Sequence, residues 1–366
     1  MEISYMRRAL ELAKKGTGFT SPNPLVGAVI VKENRIIGEG YHERYGGHHA
    51  EINAFRNATE DVRDATMYVT LEPCAHQGKT PPCANAIVEK GIRKVIIGLR
   101  DPNPLVAGKG IEILKEAGIE VIEGVLEEEG RKLNEIFLKY ITTGYPFVMM
   151  KTAMTLDGKI ATRTNASKWI TGELSRDYVH ELRHKVSGIM VGIGTVLADD
   201  PSLTTRRRCG SGSDPVRIIV DSSARIPLKA KVLNLKSDAK TLIAVTEAAD
   251  SEKLGKLEER GAEILVVPSK NGRVDLKLLM MVLGRRKIDS ILLEGGSELN
   301  YSALEEEIVD KVYSFISPKI IGGNAAKTPV GGYGKGTMEE AISLRFEAYH
   351  LFGDDIMLEA YIKKEE

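Results

Sequence analysis

The sequence predicts an α/β protein of two domains, and three observations carry that prediction. Strand-like apolar runs alternate with helix-length amphipathic pieces along almost the whole chain, the pattern of sheets covered by helices. At 366 residues the chain is long for one core, since a domain typically takes about 150. The stretch "LEEEGRKLNEIFLKYITTGYP" (126–146) reads as one amphipathic helix stopped by Gly144 and Pro146, which sets the expected domains at 1–144 and 145–366.

Each element follows from its local pattern. "MEISYMRRALELAKKG" puts Met6, Ala9, Leu10 and Ala13 at helical spacing. "LVGAVIVKENRIIGEGY" (25–41) reads as two strands joined by a tight turn at Glu33 and Asn34, and "HAEINAFRNA" (49–58) then takes up helical spacing. "ATMYVTLEPC" is a strand running into a loop, "CANAIVEKGI" a short helix, "RKVIIGL" a buried strand, "GIEILKEAG" a helix and "IEVIEG" a strand. The second alternation begins at "PFVMMKTAMTLDGKIA" and continues through the strands "GIMVGIG", "PVRIIVD", "TLIAVTE", "EILVVP" and "SILLEGG", with helices such as "GELSRDYVHELRHKV" and "DLKLLMMVLGRR" between them. "LRFEAYHLFGDDIMLEAYI" (344–362) closes the chain as a hairpin turning at Gly353 and Asp354.

Composition removes several function classes. The 51 Lys+Arg balance 51 Asp+Glu, so no overall field draws the chain to nucleic acid or an acidic membrane face, and an anionic ligand must be held by local donors. The amino-terminal stretch lacks the apolar core and cleavage site of a signal peptide. No apolar run approaches the roughly 20 residues needed to span a bilayer, which predicts a cytoplasmic protein. Three cysteines, Cys74, Cys83 and Cys209, are too few for a disulfide framework in a chain this long. Cys209 lies in the variable-looking loop "RRCGSGSDP" and reads as a bystander.

Cys74 and Cys83 belong to "LEPCAHQGKTPPC" (71–83), which follows "GGHHAEINAF" (46–55). Zinc prefers tetrahedral nitrogen and sulfur ligands, and a catalytic site keeps the fourth position for water. His49, Cys74 and Cys83 supply three ligands, at helix starts whose dipoles favour thiolates. Glu51 is too near His49 in sequence to be an obvious fourth and is placed as a proton carrier. The alternative is a structural site with four protein ligands, completed by His48 or His76.

HxE followed by PC and a further cysteine resembles the cytidine-deaminase superfamily. Nucleobase editors space the cysteines as PCxxC, whereas "AHQGKTPP" separates them here. That longer loop, with "SPNPLVGAVIV" (21–31) and "GGHHAE", is similar to the deaminase half of the bifunctional riboflavin-biosynthesis deaminase and reductase family. "KTAMTLDGKIA", "SKWITG", "LRHKVSGIMVGIGTVLADDPSLTTR" and "LLEGGSELN" are similar to that family's reductase half. The resemblance implies a cytidine-deaminase-like three-layer α/β/α domain followed by a dihydrofolate-reductase-like α/β domain.

It also implies the chemistry. Zinc-dependent hydrolysis would replace the 2-amino group of a diaminopyrimidinone ribosylamino 5′-phosphate, with Glu51 carrying protons, and NADPH would then reduce the ribosyl chain to ribityl. Asn23, His42, His76 and Lys79 are carried over as contacts to the deaminase substrate, although His42 also reads as a core histidine and Lys79 as a solvated loop charge. In the reductase half Ser167, Arg183, Leu203, Arg206 and Glu294 are expected at the substrate, the arginines through its phosphate. Ala153, Trp169, Thr195, Asp199 and the segment Gly296, Ser297, Glu298, Leu299, Asn300, Tyr301 and Ser302 are expected at NADPH. There "EGGSELN" opens a helix after a strand, and its free amides can bind phosphate. Lys151, Asp199 and Glu294 are the candidates for protonation during ring opening. Trp169 alternatively reads as a core aromatic, and Asp199 as a helix-ending turn residue.

The expected partners are the phosphorylated pyrimidine and further copies of the same chain, with neither nucleic acid nor membrane. A second functional reading, a zinc deaminase acting on nucleic acid with an appended binding domain, needs a basic surface with stacking aromatics; the neutral charge and 5% aromatic content argue against it.

Overall fold

The apolar stripe Met6, Ala9, Leu10, Leu12 and Ala13 is buried on helix α1 (Glu2–Lys14), as its spacing requires. Strands β1 (Gly27–Lys32) and β2 (Arg35–Tyr41) follow, joined by the expected two-residue turn, where Glu33 and Asn34 both take positive φ (48° and 60°). The computed structural model describes residues 2–75, 82–103, 107–210 and 212–363. After β2 come helix α2 (Ala50–Arg56), strand β3 (Thr66–Leu71), helix α3 (Cys83–Glu89), strand β4 (Lys94–Leu99), helix α4 (Lys109–Glu116), strand β5 (Glu120–Ile122) and helices α5 (Glu127–Leu133) and α6 (Glu135–Thr143). The chain divides into two compact units, Met1–Gly144 and Tyr145–Glu366.

The first unit is built on a five-stranded sheet in the order β2-β1-β3-β4-β5, antiparallel up to β3 and parallel beyond it. Period-2 alternation sends Ala28, Ile30, Met67, Val69, Val95 and Ile97 to one face, under Ala50, Ala54, Ala84, Ile87, Ile111 and Leu114 of α2, α3 and α4. Val29, Val31, Tyr68 and Ile96 face Met6, Ala9 and Leu12 of α1. The result is a three-layer α/β/α sandwich. Gly40 lets α2 lie directly on β2: a Cβ there would stand 2.2 Å from the Ala54 backbone nitrogen and 2.4 Å from the Ala50 carbonyl oxygen.

The single helix expected over 126–143 is two helices, broken at Asn134. Asn134 is buried, and its side chain turns back to bridge both backbone groups of Leu25: Oδ1 accepts from Leu25 N (2.8 Å) and Nδ2 donates to Leu25 O (3.0 Å). The bridge satisfies a chain segment that no strand partner serves, and helical periodicity alone does not reveal it.

The second unit runs β6 (Phe147–Thr155), α7 (Glu173–Lys185), β7 (Gly188–Gly192), α8 (Ile193–Asp199), β8 (Val216–Val220), β9 (Thr241–Val245), α9 (Ser251–Glu258), β10 (Ala262–Val266), β11 (Ser269–Lys270), β12 (Arg273–Val274), α10 (Leu276–Arg285), β13 (Ser290–Leu293), α11 (Ser297–Glu305), β14 (Lys311–Ser317), β15 (Leu344–Phe352) and β16 (Asp355–Ile362). Its nine-stranded sheet has the order β10-β9-β8-β7-β13-β6-β14-β16-β15 and is parallel except for the pairs that β16 makes. Apolar clusters cover both faces. The closing hairpin turns at Gly353 and Asp354, with Phe352 paired to Asp355. Strand-to-helix turns at the carboxyl ends of β7 and β13 leave α8 and α11 starting there, where open α/β sheets bind ligands. Among the described residues, no helix is long and apolar enough to cross a membrane.

Asn134→Ala removes both bonds to Leu25 and leaves its half-buried amide and carbonyl without that partner. It is expected to lower unfolding free energy by about 1–3 kcal/mol, measured as an earlier midpoint in denaturant with the slope unchanged.

Candidate active sites

In the first unit three elements bring the predicted metal ligands together. His49 is the N-cap residue of α2, in extended backbone (φ −72°, ψ 164°), and its imidazole makes no capping bond. Cys83 is the first residue of α3 and Cys74 lies in the loop after β3. Their ligand atoms lie within 4.8 Å of one another, with His49 Nδ1 at 3.5 Å from Cys74 Sγ and 3.3 Å from Cys83 Sγ. Among the described residues no fourth group joins them. His48 does not, and His76, like Lys79, lies outside the described residues.

The electrostatics of the cluster fit a divalent cation. The Cys83 thiol, with help from His49, holds the Cys74 thiol down at about 4, while Cys74 and burial push the Cys83 thiol up. The two sulfurs compete to be the thiolate, and a dication between them allows both to ionise. Two thiolates and one imidazole, with no fourth ligand among the described residues, suit zinc with an open vertex. Glu51, only 3% exposed, sits in the first turn of α2 beside this set. Burial pushes its carboxyl up to about 7 against the opposing pull of His49, which makes it a group able to take and return a proton near neutrality.

Glu72, the acidic residue of "EPC", has a structural task that the sequence motif does not announce. Its carboxylate accepts from the backbone N–H groups of Asp101 (3.2 Å), Gly108 (3.1 Å), Gly110 (3.1 Å) and Ile111 (3.4 Å). These bonds cap α4 and hold it against the Cys74 loop, so closely that a Cβ on Gly110 would lie 1.9 Å from the Pro73 carbonyl oxygen. The Cys74 carbonyl in turn accepts from Ala84 N, and the Cys83 N–H points at Cys74 Sγ (3.4 Å), locking the two ligand segments together.

His42 is buried with both ring nitrogens engaged: Nδ1 lies 3.0 Å from the His48 carbonyl oxygen and Nε2 lies 3.2 Å from Asn23 Nδ2. A carbonyl can only accept, so Nδ1 carries the proton and Nε2 receives the Asn23 amide. Burial lowers the His42 pKa and keeps that neutral form. His42 therefore orients Asn23 from behind.

In the second unit the carboxyl ends of β6, β7 and β13 surround a cavity of about 470 Å³. Lys151, Ala153, Ser167, Trp169, Arg183, Thr195, Asp199, Leu203, Arg206, Glu294, Gly296 and Asn300 all line it. Of the predicted α11 segment, Ser297, Glu298, Leu299, Tyr301 and Ser302 are not on its wall: Leu299 joins the core, Ser297 Oγ donates to the Thr328 carbonyl and Glu298 pairs with Arg273. Asn300 Nδ2 donates to the Pro329 carbonyl while its buried Oδ1 has no partner. A Cβ on Gly296 would stand 3.3 Å from Thr195 Oγ1, so glycine leaves the starts of α8 and α11 open side by side.

Trp169 is 66% exposed and stacks on the Arg176 guanidinium, 4.6 Å from the ring centre; the core-aromatic alternative is excluded. Asp199 does end α8, and its Oδ1 also accepts from Ser167 Oγ (3.0 Å). Glu294 is the buried centre of the charged wall. Arg183 grips it with Nε (2.7 Å) and Nη2 (3.0 Å), and Lys151 Nζ lies at 3.7 Å. Burial alone would raise the Glu294 carboxyl, but Arg183 and Lys151 outweigh it and hold it at about 2; burial in turn lowers the Lys151 pKa. Arg183 also donates to the Thr204 carbonyl, so most of its fork is already committed. Among the lining residues that escape the sequence reading is Arg176, whose only signal is the tryptophan it stacks on; His180, one helical turn before Arg183, also escapes it and touches the site through Arg206.

A family model of the RibD C-terminal domain matches residues 146–358, and one of the cytidine and deoxycytidylate deaminase zinc-binding region matches residues 1–99. The riboflavin biosynthesis protein RibD of Actinobacillus pleuropneumoniae is 51% identical over 358 residues, which cover 98% of this chain and 94% of that protein. That of Aquifex aeolicus is 45% identical over 358 residues, 98% of each. Among solved structures, Acinetobacter baumannii RibD superposes with a TM-score of 0.90 at 37% identity, and a diaminohydroxyphosphoribosylaminopyrimidine deaminase/5-amino-6-(5-phosphoribosylamino)uracil reductase from Thermotoga maritima with 0.87 at 41% identity, each covering 99% of both chains.

Glu72→Gln replaces an acceptor-only group by one whose NH2 faces backbone N–H donors. The expected loss is about 1–3 kcal/mol of stability, together with release of zinc from the His49, Cys74 and Cys83 set at lower chelator concentration than in the parent. Chelator titration followed by metal analysis checks it.

Proposed function

The chain belongs to the RibD family of bifunctional riboflavin-biosynthesis enzymes, a zinc-dependent deaminase and an NADPH-dependent reductase in one polypeptide, and from that premise we propose how its own residues divide the work. The deaminase is assigned to 1–144 and the reductase to 145–366. The observation that carries the assignment is the buried carboxyl of Glu51 beside three converging ligands, a set that no fourth protein donor joins among the described residues.

His49, Cys74 and Cys83 hold the zinc. When bound, zinc supplies the Lewis acidity that brings a water's pKa toward 7. Glu51 would take one proton from the attacking water and pass it to the ring nitrogen of the diaminopyrimidinone, then take the second proton from the hydroxyl so added to the ring carbon and pass it to the amino group, which leaves as ammonia; one carboxyl suffices because the steps are sequential and its pKa sits near neutrality. Asn23, oriented by His42, reads the edge of the heterocycle. His76 and Lys79 complete the substrate contacts.

In the reductase, NADPH supplies the hydride. Trp169, Thr195, Ala153 and the opening of α11 form its seat. Ser167, Leu203 and Glu294 position the ribosyl pyrimidine. Because Glu294 stays ionised far below neutral pH, it is a poor proton donor; Lys151, whose ammonium is weakened by burial, is the better source of the proton needed at the sugar ring oxygen. Since Arg183 is committed to Glu294, the 5′-phosphate falls mainly to Arg206.

The cluster thiols must stay reduced to bind metal, which favours the cytoplasm. A homo-oligomer is supported by the edge hairpin, where Tyr349 and Leu351 of β15 stand opposite Leu358 and Ile356 of β16 and all four are exposed.

Glu51→Gln keeps shape and ligands, so the purified protein retains its zinc while deamination falls by at least about 10³. NADPH oxidation with the deaminated substrate stays at the parent rate. Loss of zinc from this variant would make Glu51 a ligand, and substantial residual deamination would move the proton work elsewhere. Tyr349→Glu with Leu351→Glu is expected to halve the mass measured by light scattering; an unchanged mass would put the subunit contact on another surface.

A further inference from the structure

His180 lies on α7 one turn before Arg183, half-buried and in contact with Arg206 of the cavity wall, and none of the steps assigned so far uses it. The backbone N–H of Arg206 donates to its Nδ1 (3.2 Å), and Arg206 Nη2 stands 3.5 Å from its Nε2. Burial and the charges of Arg183 and Arg206 push the imidazole pKa down to about 4, so at neutral pH the ring carries one proton. Nδ1 is accepting, and the proton is therefore on Nε2. An imidazole N–H then faces a guanidinium N–H, and neither can accept from the other.

Among the described residues no carboxylate pairs with Arg206. Asp177, one turn earlier on the same helix, is occupied by Arg208 (2.6 Å) and does not fill the gap. Two donors, one of them cationic, stand 3.5 Å apart with no carboxylate paired to the guanidinium among the described residues, which is half of an anion site. We propose that His180 is a phosphate ligand of the reductase, its Nε2–H and the Arg206 guanidinium together holding one oxygen of the substrate's 5′-phosphate. The proposal rests on the reading that places the phosphate at Arg206. It replaces a clamp of two arginines, one of which is committed to Glu294, by a clamp of one arginine and one neutral histidine.

The test uses the full-length zinc-loaded enzyme, NADPH oxidation with the deaminated substrate, and inorganic phosphate as a competing probe. His180→Leu is expected to raise KM about tenfold, the scale of one hydrogen bond to a charged group, to weaken inhibition by phosphate by a similar factor, and to leave kcat within about twofold. His180→Gln, whose amide can accept at one end and donate at the other, restores most of both. With the substrate's phosphate removed, parent and His180→Leu become indistinguishable. Unchanged KM and phosphate inhibition in His180→Leu overturn the proposal, as does a fall in kcat that is the same with and without the substrate's phosphate. Arg206→Ala separates the two levels: if it weakens phosphate binding while His180→Leu does not, only the histidine's role fails, and if neither variant responds, the phosphate lies elsewhere. Unaltered affinity for NADPH shows that the reductase unit of each variant is folded.

Discussion

Four backbone N–H groups, that of Asp101 and those of Gly108, Gly110 and Ile111 at the start of α4, converge on the carboxylate of Glu72. Hydrogen bonds to an ionised acceptor are about twice as strong as neutral ones. They seat α4 on Pro73, in contact close enough to require Gly110, and Cys74 is the next residue. Because the Cys74 carbonyl then receives Ala84 N, the start of α3 and its Cys83 are set by the same anchor. The remaining ligand is set from the opposite direction, by the glycine floor of β2 under α2. Two backbone-level constraints, one charged and one steric, thus converge on a cluster a few ångströms wide.

The reductase half solves a related problem with side chains alone. Glu294 ends a central strand, and its charge is tolerable only because Arg183 and Lys151 surround it. A buried ion cluster of this kind is costly to break, at about 3–5 kcal/mol when one partner is removed, but its virtue is geometric. It ties β13, α7 and β6 to one point on the cavity wall, and it holds one group ionised while weakening the charge of another.

What the sequence makes legible is what short motifs encode. The convergence of His49, Cys74 and Cys83 is readable because those residue types in that pattern can share one metal ion, and the turns at Glu33–Asn34 and Gly353–Asp354 are readable because hairpins demand their backbone. What it hides is long-range partnership. Asn134 breaks a helix for the sake of Leu25, more than a hundred residues earlier. Strand β14 opens on Lys311, a residue that argues against a central strand until Glu359 and Tyr361 are seen beside it. His180 looks like one polar position on an amphipathic helix, and only the fold of the 203–206 segment over α7 gives it a partner.

Trp169 is the chain's single tryptophan, and it stands largely exposed at the reductase cavity, stacked on a guanidinium. The indole emission of the whole polypeptide therefore originates at one address. Reduced nicotinamide absorbs where indole emits, so a dinucleotide seated against this ring would quench it by energy transfer, and displacement of Arg176 would alter the emission on its own. The enzyme carries a native optical reporter of its reductase cavity, and the filling of that cavity can be followed without attaching a label.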